Sequence, residues 1–452
     1  MRQKLSYAPI GIFLFYLLVN FPGSFNEDSV LVFSQSAQIA TMTNWHSPLL
    51  VHLWWVLSLG GNDPRLIFIS QTALISLIFG KLIGMAPTTW KKIILIMLFL
   101  LPQSVIVAGY VSKDTFIAIF TVISFLDWNL PKRIKYLPNV IALVLVASLR
   151  ITNIFLLLPG LIHLSQKIKN SDRRKTQLRK WTQSLFILIS ILTFGYLLNI
   201  PNSGRHLHPE NIVKTWDLTA ISLDSNKNLI PQEFQREPKC SLTEMKTQYT
   251  TLFSDPLIWN ENSCSSLILP ERYNDQVTFY NEKGEYSQKI STKYWIDQII
   301  SNPKPYLEHR LKIIARMLLI PNSPIMYPSS PNSSFIGINK DQSLYPGVVL
   351  HNIFPKYNFA YSVHDIANPG KILMVPGIWL LGVLLLLIRK ARRETSKKQI
   401  VIFLSMLGYV MTIGFTSPGP EFRYLYPIWY LSIYSFVSLT KNQYTEMEKN
   451  EN

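Results

Sequence analysis

The side chains in this sequence that could do chemistry are Glu27, Asp28, His46, Lys113, Asp114, Arg150, Arg423 and Tyr424. A positioned carboxylate can take the proton of a hydroxyl, and Arg or Lys can steady a phosphate as negative charge develops on it. Glu27 and Asp28 are adjacent, and their types alone do not say which would be the base. Asp114 could orient the hydroxyl or hold a divalent metal, the one cofactor the pattern admits. Arg150 lies between two apolar runs, and at such depth it needs an anionic partner, either a protein carboxylate or a phosphate. Plainer roles exist for the same residues: Glu27 and Asp28 would solubilise a loop, and Ser112 or Asp114 would cap the helix that follows. Other chemistries lack their signatures. The sequence holds no glycine-rich phosphate loop, no Cys/His spacing for structural zinc and no Gly-x-Ser-x-Gly turn.

The elements that must position these residues follow from hydropathy. Of 452 residues, 48% are hydrophobic and only 16% are charged, too apolar a balance for an ordinary soluble chain of this length. Apolar stretches near 8–21, 66–84, 93–109, 115–127, 138–149, 151–165, 183–200, 372–388, 399–415 and 426–440 predict about ten membrane helices. No small-x-small cleavage site follows the first stretch, so it reads as an uncleaved helix. The net charge of +17 would fit a nucleic-acid partner, but the segments predicted to face inward carry the whole of that excess. This is the positive-inside pattern of a plasma (inner) membrane protein with both termini cytoplasmic. No basic patch for nucleic acid is visible.

This topology puts the chemical residues on one face. The first outer loop, 22–65, carries Glu27, Asp28 and His46, with interfacial helices predicted over Ser29–Thr43 and Leu49–Leu59. Lys113 and Asp114 occupy the next short outward turn, Arg150 the following one, and Arg423 with Tyr424 the last. The chain divides into an N-terminal transmembrane core (1–200), an extracytoplasmic domain (201–371), C-terminal membrane helices (372–440) and a cytoplasmic polar tail (441–452). Cys240 and Cys264 both fall in the extracytoplasmic part, where a disulfide is expected, with two separate buried thiols as the alternative. No internal repeat is apparent.

The order of these parts resembles the integral-membrane glycosyltransferases of the GT-C fold, such as the protein mannosyltransferases and multi-pass bacterial members. The residues that carry the resemblance are Glu27-Asp28, the turn His46-Ser47-Pro48-Leu49, the Gly60 to Arg65 spacing, Lys113-Asp114 and the ending Arg423-Tyr424-Leu425-Tyr426-Pro427. It covers the first 160 residues and the last 40. The acid pair runs Glu-Asp where the family has Asp-Glu, Ser47 replaces a second proline, and the large outer domain precedes the last three spans.

The resemblance implies an all-α polytopic membrane protein that transfers a sugar from a polyprenyl-phosphate carrier. The acceptor would be a glycan, lipid or protein outside the membrane, and the anomeric carbon would be inverted. Asp28 would be the base, with Glu27 as its alternative and Asp114 the second acid. His46, Lys113, Arg150, Arg423 and Tyr424 would contact substrate, and membrane lipids would surround the whole. A transporter or flippase of lipid-linked glycans, or a polymerase of lipid-linked repeats, would share the sidedness. Transporters, however, usually place ionisable groups near the midplane and show repeats.

Overall fold

The computed structural model describes residues 7–21, 23–25, 27–38, 46–128, 130–131, 134–171, 189–190, 193, 197, 210–232, 241–251, 271–273, 276–278, 289–319, 375–391, 397–417 and 422–450. The fold is mostly helical. In chain order the helices are α1 (Ala8–Asn20), α2 (Glu27–Ser36), α3 (Pro48–Leu57), α4 (Arg65–Met85), α5 (Thr89–Leu100), α6 (Pro102–Gly109), α7 (Lys113–Ile123), α8 (Leu137–Leu149) and α9 (Ile154–Ser171). After them come α10 (Glu210–Ser225), α11 (Leu242–Thr251), α12 (Thr292–Ser301), α13 (Pro303–Leu319), α14 (Pro376–Ala391), α15 (Lys397–Thr416) and α16 (Tyr426–Asn450). Two strand pairs depart from the all-α expectation: β1 (Ser24–Phe25) with β2 (Tyr110–Val111), and β3 (Glu271–Tyr273) with β4 (Gln276–Thr278).

Every apolar stretch singled out above is helical except 183–200, most of which lies outside the described residues. Length is where expectation and structure part. Among the described residues two helices, Arg65–Met85 and Gln399–Thr416, are long and apolar enough to cross a membrane, or three if α5 and α6 form one bent span. The bend of 62° falls at Leu101-Pro102. A proline here removes a backbone donor and keeps the residue before it extended, and Leu101 has ψ 145°. The other apolar helices are 10–17 residues long, short of the roughly 20 that span a bilayer unaided. Residues 441–450, expected as a separate tail, continue α16. The sequence Lys-Asn-Gln-Tyr-Thr-Glu-Met-Glu-Lys-Asn contains no Pro or Gly to stop it.

The core around the site is built on α7, which packs against α4, α8 and α16. Its first turn is closed by Ser112, whose Oγ accepts from the Thr115 amide at 3.3 Å. Capping thus falls to Ser112, and the Asp114 side chain is left for other partners. Aromatic rings lock the neighbouring helices: Phe79 on Phe99 at 4.6 Å, Phe125 on Tyr434 at 4.5 Å and Trp379 on Trp429 at 4.1 Å. Small residues allow close approach elsewhere. Any Cβ on Gly160 would strike Ser124 and Leu143, and one on Gly408 would strike Phe155.

α10 packs against α11, α12 and α13 over Leu218, Ile221, Leu229, Ile230, Met245 and Ile290. It is joined to α14 and α15 through α13, which touches both. Cys240 and Cys264, and with them the expected bridge, lie outside the described residues.

Candidate functional site

Two short strands place the acids. β1 and β2 run parallel, with Ser24 opposite Tyr110 and Phe25 opposite Val111. Each strand leads directly into a helix, and in this register Asp28 and Asp114 occupy the same position, four residues beyond the paired Ser24 and Tyr110. Their surroundings match in sequence as well: Gly23 and Gly109 precede the strands, and Ser29 and Thr115 follow the acids. This is a short internal repeat of the form Gly-x-x-x-x-Asp-Ser/Thr. Two matching glycines, acids and hydroxyls scattered over seven residues are too sparse to stand out without the strand pairing.

Both hydroxyls fold back on β2. Ser29 Oγ donates to the Val111 carbonyl at 2.6 Å, and Thr115 Oγ1 donates to that of Tyr110 at 2.8 Å. Gln71 on α4 secures the same strand by donating to the carbonyls of Ala108 and Tyr110 at 3.0 and 3.1 Å. Both acids consequently sit in the first turn of a helix, where the helix dipole favours negative charge. For Glu27 and Asp28 this replaces the expected loop, because α2 begins two residues before the predicted amphipathic stretch. The Glu27 side chain lies outside what is described.

The equivalence ends at the partners. Asp114 is 1% exposed and its Oδ1 lies 3.1 Å from Arg150 Nη2. Asp28 keeps 22% of its side chain exposed, with Oδ2 2.9 Å from Arg423 Nη1. Arg423 also approaches Asp114, with Nε 3.9 Å from Oδ2, so one guanidinium spans both acids. Tyr424 supplies a shared floor: its ring centre is 4.6 Å from the Arg150 guanidinium and 5.4 Å from that of Arg423. Tyr409, which the sequence did not single out, donates its hydroxyl to the Tyr424 carbonyl at 2.8 Å. Its residue type in an apolar helix carried no distinguishing signal.

A small, partly open recess is lined by Asp28, Ser29, His46, Trp54, Lys113, Asp114 and Arg423, among others. His46 is buried, and neither ring nitrogen makes a hydrogen bond among the described residues. Burial first, then the Lys113 ammonium, push its imidazole down to about 3, so it stands neutral beside Asp28, with Nε2 at 3.9 Å. For Asp28, burial works to raise the carboxyl, but Arg423 above all and then Lys113 outweigh it and hold the group well below the usual carboxylate range.

Lys113 and Arg423 line the recess with Asp28 and Asp114, and Arg150, outside the lining, pairs with Asp114. Among the described residues Lys113 has no ion pair within 4 Å. Arg65, by contrast, stands apart, paired to Asp63 at 2.8 Å and 43% exposed. Among the described residues no three metal-ligating side chains converge. The structure therefore brings together Asp28, His46, Lys113, Asp114, Arg150, Arg423 and Tyr424, which come from five separate parts of the chain.

A second buried ionic cluster went unnoticed in the sequence. Asp217 and Arg310 are fully buried, with Oδ2 and Nη2 2.7 Å apart. Trp295 Nε1 donates to the same carboxylate at 3.1 Å, and Tyr249 bonds His309 Nδ1 at 2.7 Å. Arg310 also donates to the Ser417 carbonyl at 2.7 Å, tying α13 to the end of α15. Family models, characterised proteins and solved structures give no match to this chain.

Proposed function

We propose that this chain is a multi-pass membrane glycosyltransferase of the GT-C type that moves a sugar from a polyprenyl-phosphate carrier to an acceptor hydroxyl outside the membrane. One observation carries the reading: a recess lined by Lys113, Arg423, Asp28 and Asp114, in which Asp114 is tied to Arg150, Arg423 is held between the two acids and Asp28 stays reachable from solvent. An anion entering it finds Lys113 unpaired and Arg423 shared between two acids. A phosphate drawn there competes with Asp28 for Arg423. As the guanidinium turns to the phosphate, Asp28 loses the partner that depresses its basicity and becomes able to accept a proton.

The reaction then runs as follows. The acceptor hydroxyl gives its proton to Asp28 as its oxygen bonds to the anomeric carbon. The bond from that carbon to the carrier phosphate breaks, and the phosphate leaves with the electron pair while Lys113 and Arg423 stabilise its charge. Attack opposite the leaving group inverts the anomeric carbon. Asp114, locked to Arg150 and buried, holds the cations in place and is the lesser choice for base. The topology belonging to this reading has both termini cytoplasmic and 201–371 outside, in the plasma (inner) membrane, with the basic segments inward.

The test is transfer by the full chain in vesicles supplied with a polyprenyl-phosphate sugar, together with labelling of introduced reporters at 113 and 420. Transfer with both sites outside is the expected result. Either site facing inward would dismantle the reading.

A further inference from the structure

We infer that α12 and α13 lie in the headgroup layer of the bilayer and dock the outer domain on the membrane surface. The proposal needs no assumption about the reaction.

The Gln399–Thr416 span covers about 27 Å at 1.5 Å per residue, close to the roughly 30 Å of bilayer hydrocarbon. Its last turn therefore marks the lipid–water boundary. α13 is fixed to that turn by three contacts. Gly414 leaves no room for a Cβ beside Ile314, Arg310 donates to the Ser417 carbonyl at 2.7 Å, and Tyr306 meets Phe415 at 6.4 Å between ring centres. The boundary thus runs past the first turns of α13.

The exposed residues identify what lies there. α15 shows an outward stripe of Ile400, Leu404, Leu407 and Met411, spaced by three and four so that they share one face. The next position on that stripe is Phe415, the residue against Tyr306. The stripe continues onto the outer domain, where Leu307 and Leu311 of α13 are 47% and 49% exposed and Ile300 of α12 is 71% exposed. The opposite face of α13, with His309, Arg310, Ile313 and Met317, is buried. An apolar strip continuous with a lipid-facing one belongs in the same solvent. Lys304 and Lys312 are exposed beside it, and their long stems can lie along the apolar boundary with the ammonium groups among phosphates. Glu308 is the one acid in α13.

The experiment places the photoreactive residue benzoylphenylalanine at Leu307, at Leu311 or, as control, at exposed Asp224. The full chain is irradiated in vesicles of phosphatidylethanolamine and phosphatidylglycerol. Phospholipid adducts should dominate at 307 and 311 and be lost at 224. A dominant cross-link to a second copy, or recovery without lipid adduct at 307 and 311, would overturn the proposal. Hydroxyl-radical footprinting of the unsubstituted chain in the same vesicles decides the matter without any substitution. Leu307 and Leu311 should be oxidised as slowly as Leu404 and Leu407; oxidation at the rate of a leucine in water counts against docking. Neither measurement reads sugar transfer, so a chain inactive as a transferase still tests it.

Discussion

Arg423 holds Asp28 at 2.9 Å and reaches Asp114 at 3.9 Å, joining residues just before the last helix to the first turns of the second and seventh. One cation is thereby set between two acids that the β1–β2 register makes equivalent. Burial separates their roles.

Asp28→Asn keeps size and most hydrogen bonding but removes proton acceptance. Turnover in the vesicle assay should fall by about 10²-fold or more, the scale contributed by positioned bases. The amount of folded protein should be unchanged, because Asp28 is partly exposed. Glu27→Gln is the control, and loss there with wild-type activity in Asp28→Asn would move the base by one residue.

Arg423→Gln removes the first of the charges that depress the Asp28 carboxyl. The transfer reaction needs Asp28 ionised, so the acidic limb of the pH–rate profile should move to higher pH. An unmoved limb would separate Asp28 from the titration that limits the rate.

Asp114→Asn should behave differently, because it leaves the Arg150 guanidinium without its buried partner. Breaking such a pair from one side costs about 3–5 kcal/mol, and removing both members costs less. Thermal unfolding in detergent should show a large drop for Asp114→Asn and recovery of part of it in Asp114→Asn/Arg150→Met. Equal drops in the single and double variants would refute the coupling.

The buried cluster of Asp217, His309 and Arg310 should carry opposing pH terms. Burial, opposed by Arg310 and Trp295, leaves the Asp217 carboxyl raised from 3.8 to about 6. A raised folded value gives stability that is full below 3.8 and lost as pH rises through about 6. Burial, aided by Arg310 and Lys312, pushes the His309 imidazole from 6.5 down to about 3. That stability is present above 6.5 and lost as pH falls, by about 1.4 kcal/mol per unit until the folded value is reached. Arg310, His309, Trp295, Tyr249 and Tyr306 are the groups that face Asp217. Between pH 7 and 5, His309→Gln should therefore lose less stability on acidification than the parent chain, read as the shift in unfolding temperature. The same slope in both would remove His309 from the account.

Helical character along the apolar stretches was legible in the sequence, because apolar runs and their Pro, Gly and Ser boundaries act over a few residues, whereas helix lengths were not. Ser112, one of the two cap candidates, closes α7, whereas the stretch 93–109, read as one span, is bent by 62°. The sequence also picked out the polar residues of the recess, since Asp, Lys and Arg beside apolar helices need partners wherever they lie. Partner choice was beyond it. Arg150 was open to a carboxylate or a phosphate until Asp114 was found 3.1 Å away, and Asp28 and Asp114 were alike as acids until their exposure and partners distinguished them. His46 has a type that titrates near neutrality, and only its enclosure beside Lys113 makes it neutral. Asp217 and Arg310, far apart in the chain, gave no local sign of their pairing. Ion pairing and desolvation depend on which distant segments meet and how much water remains between them, and those quantities exist only once the tertiary structure has formed.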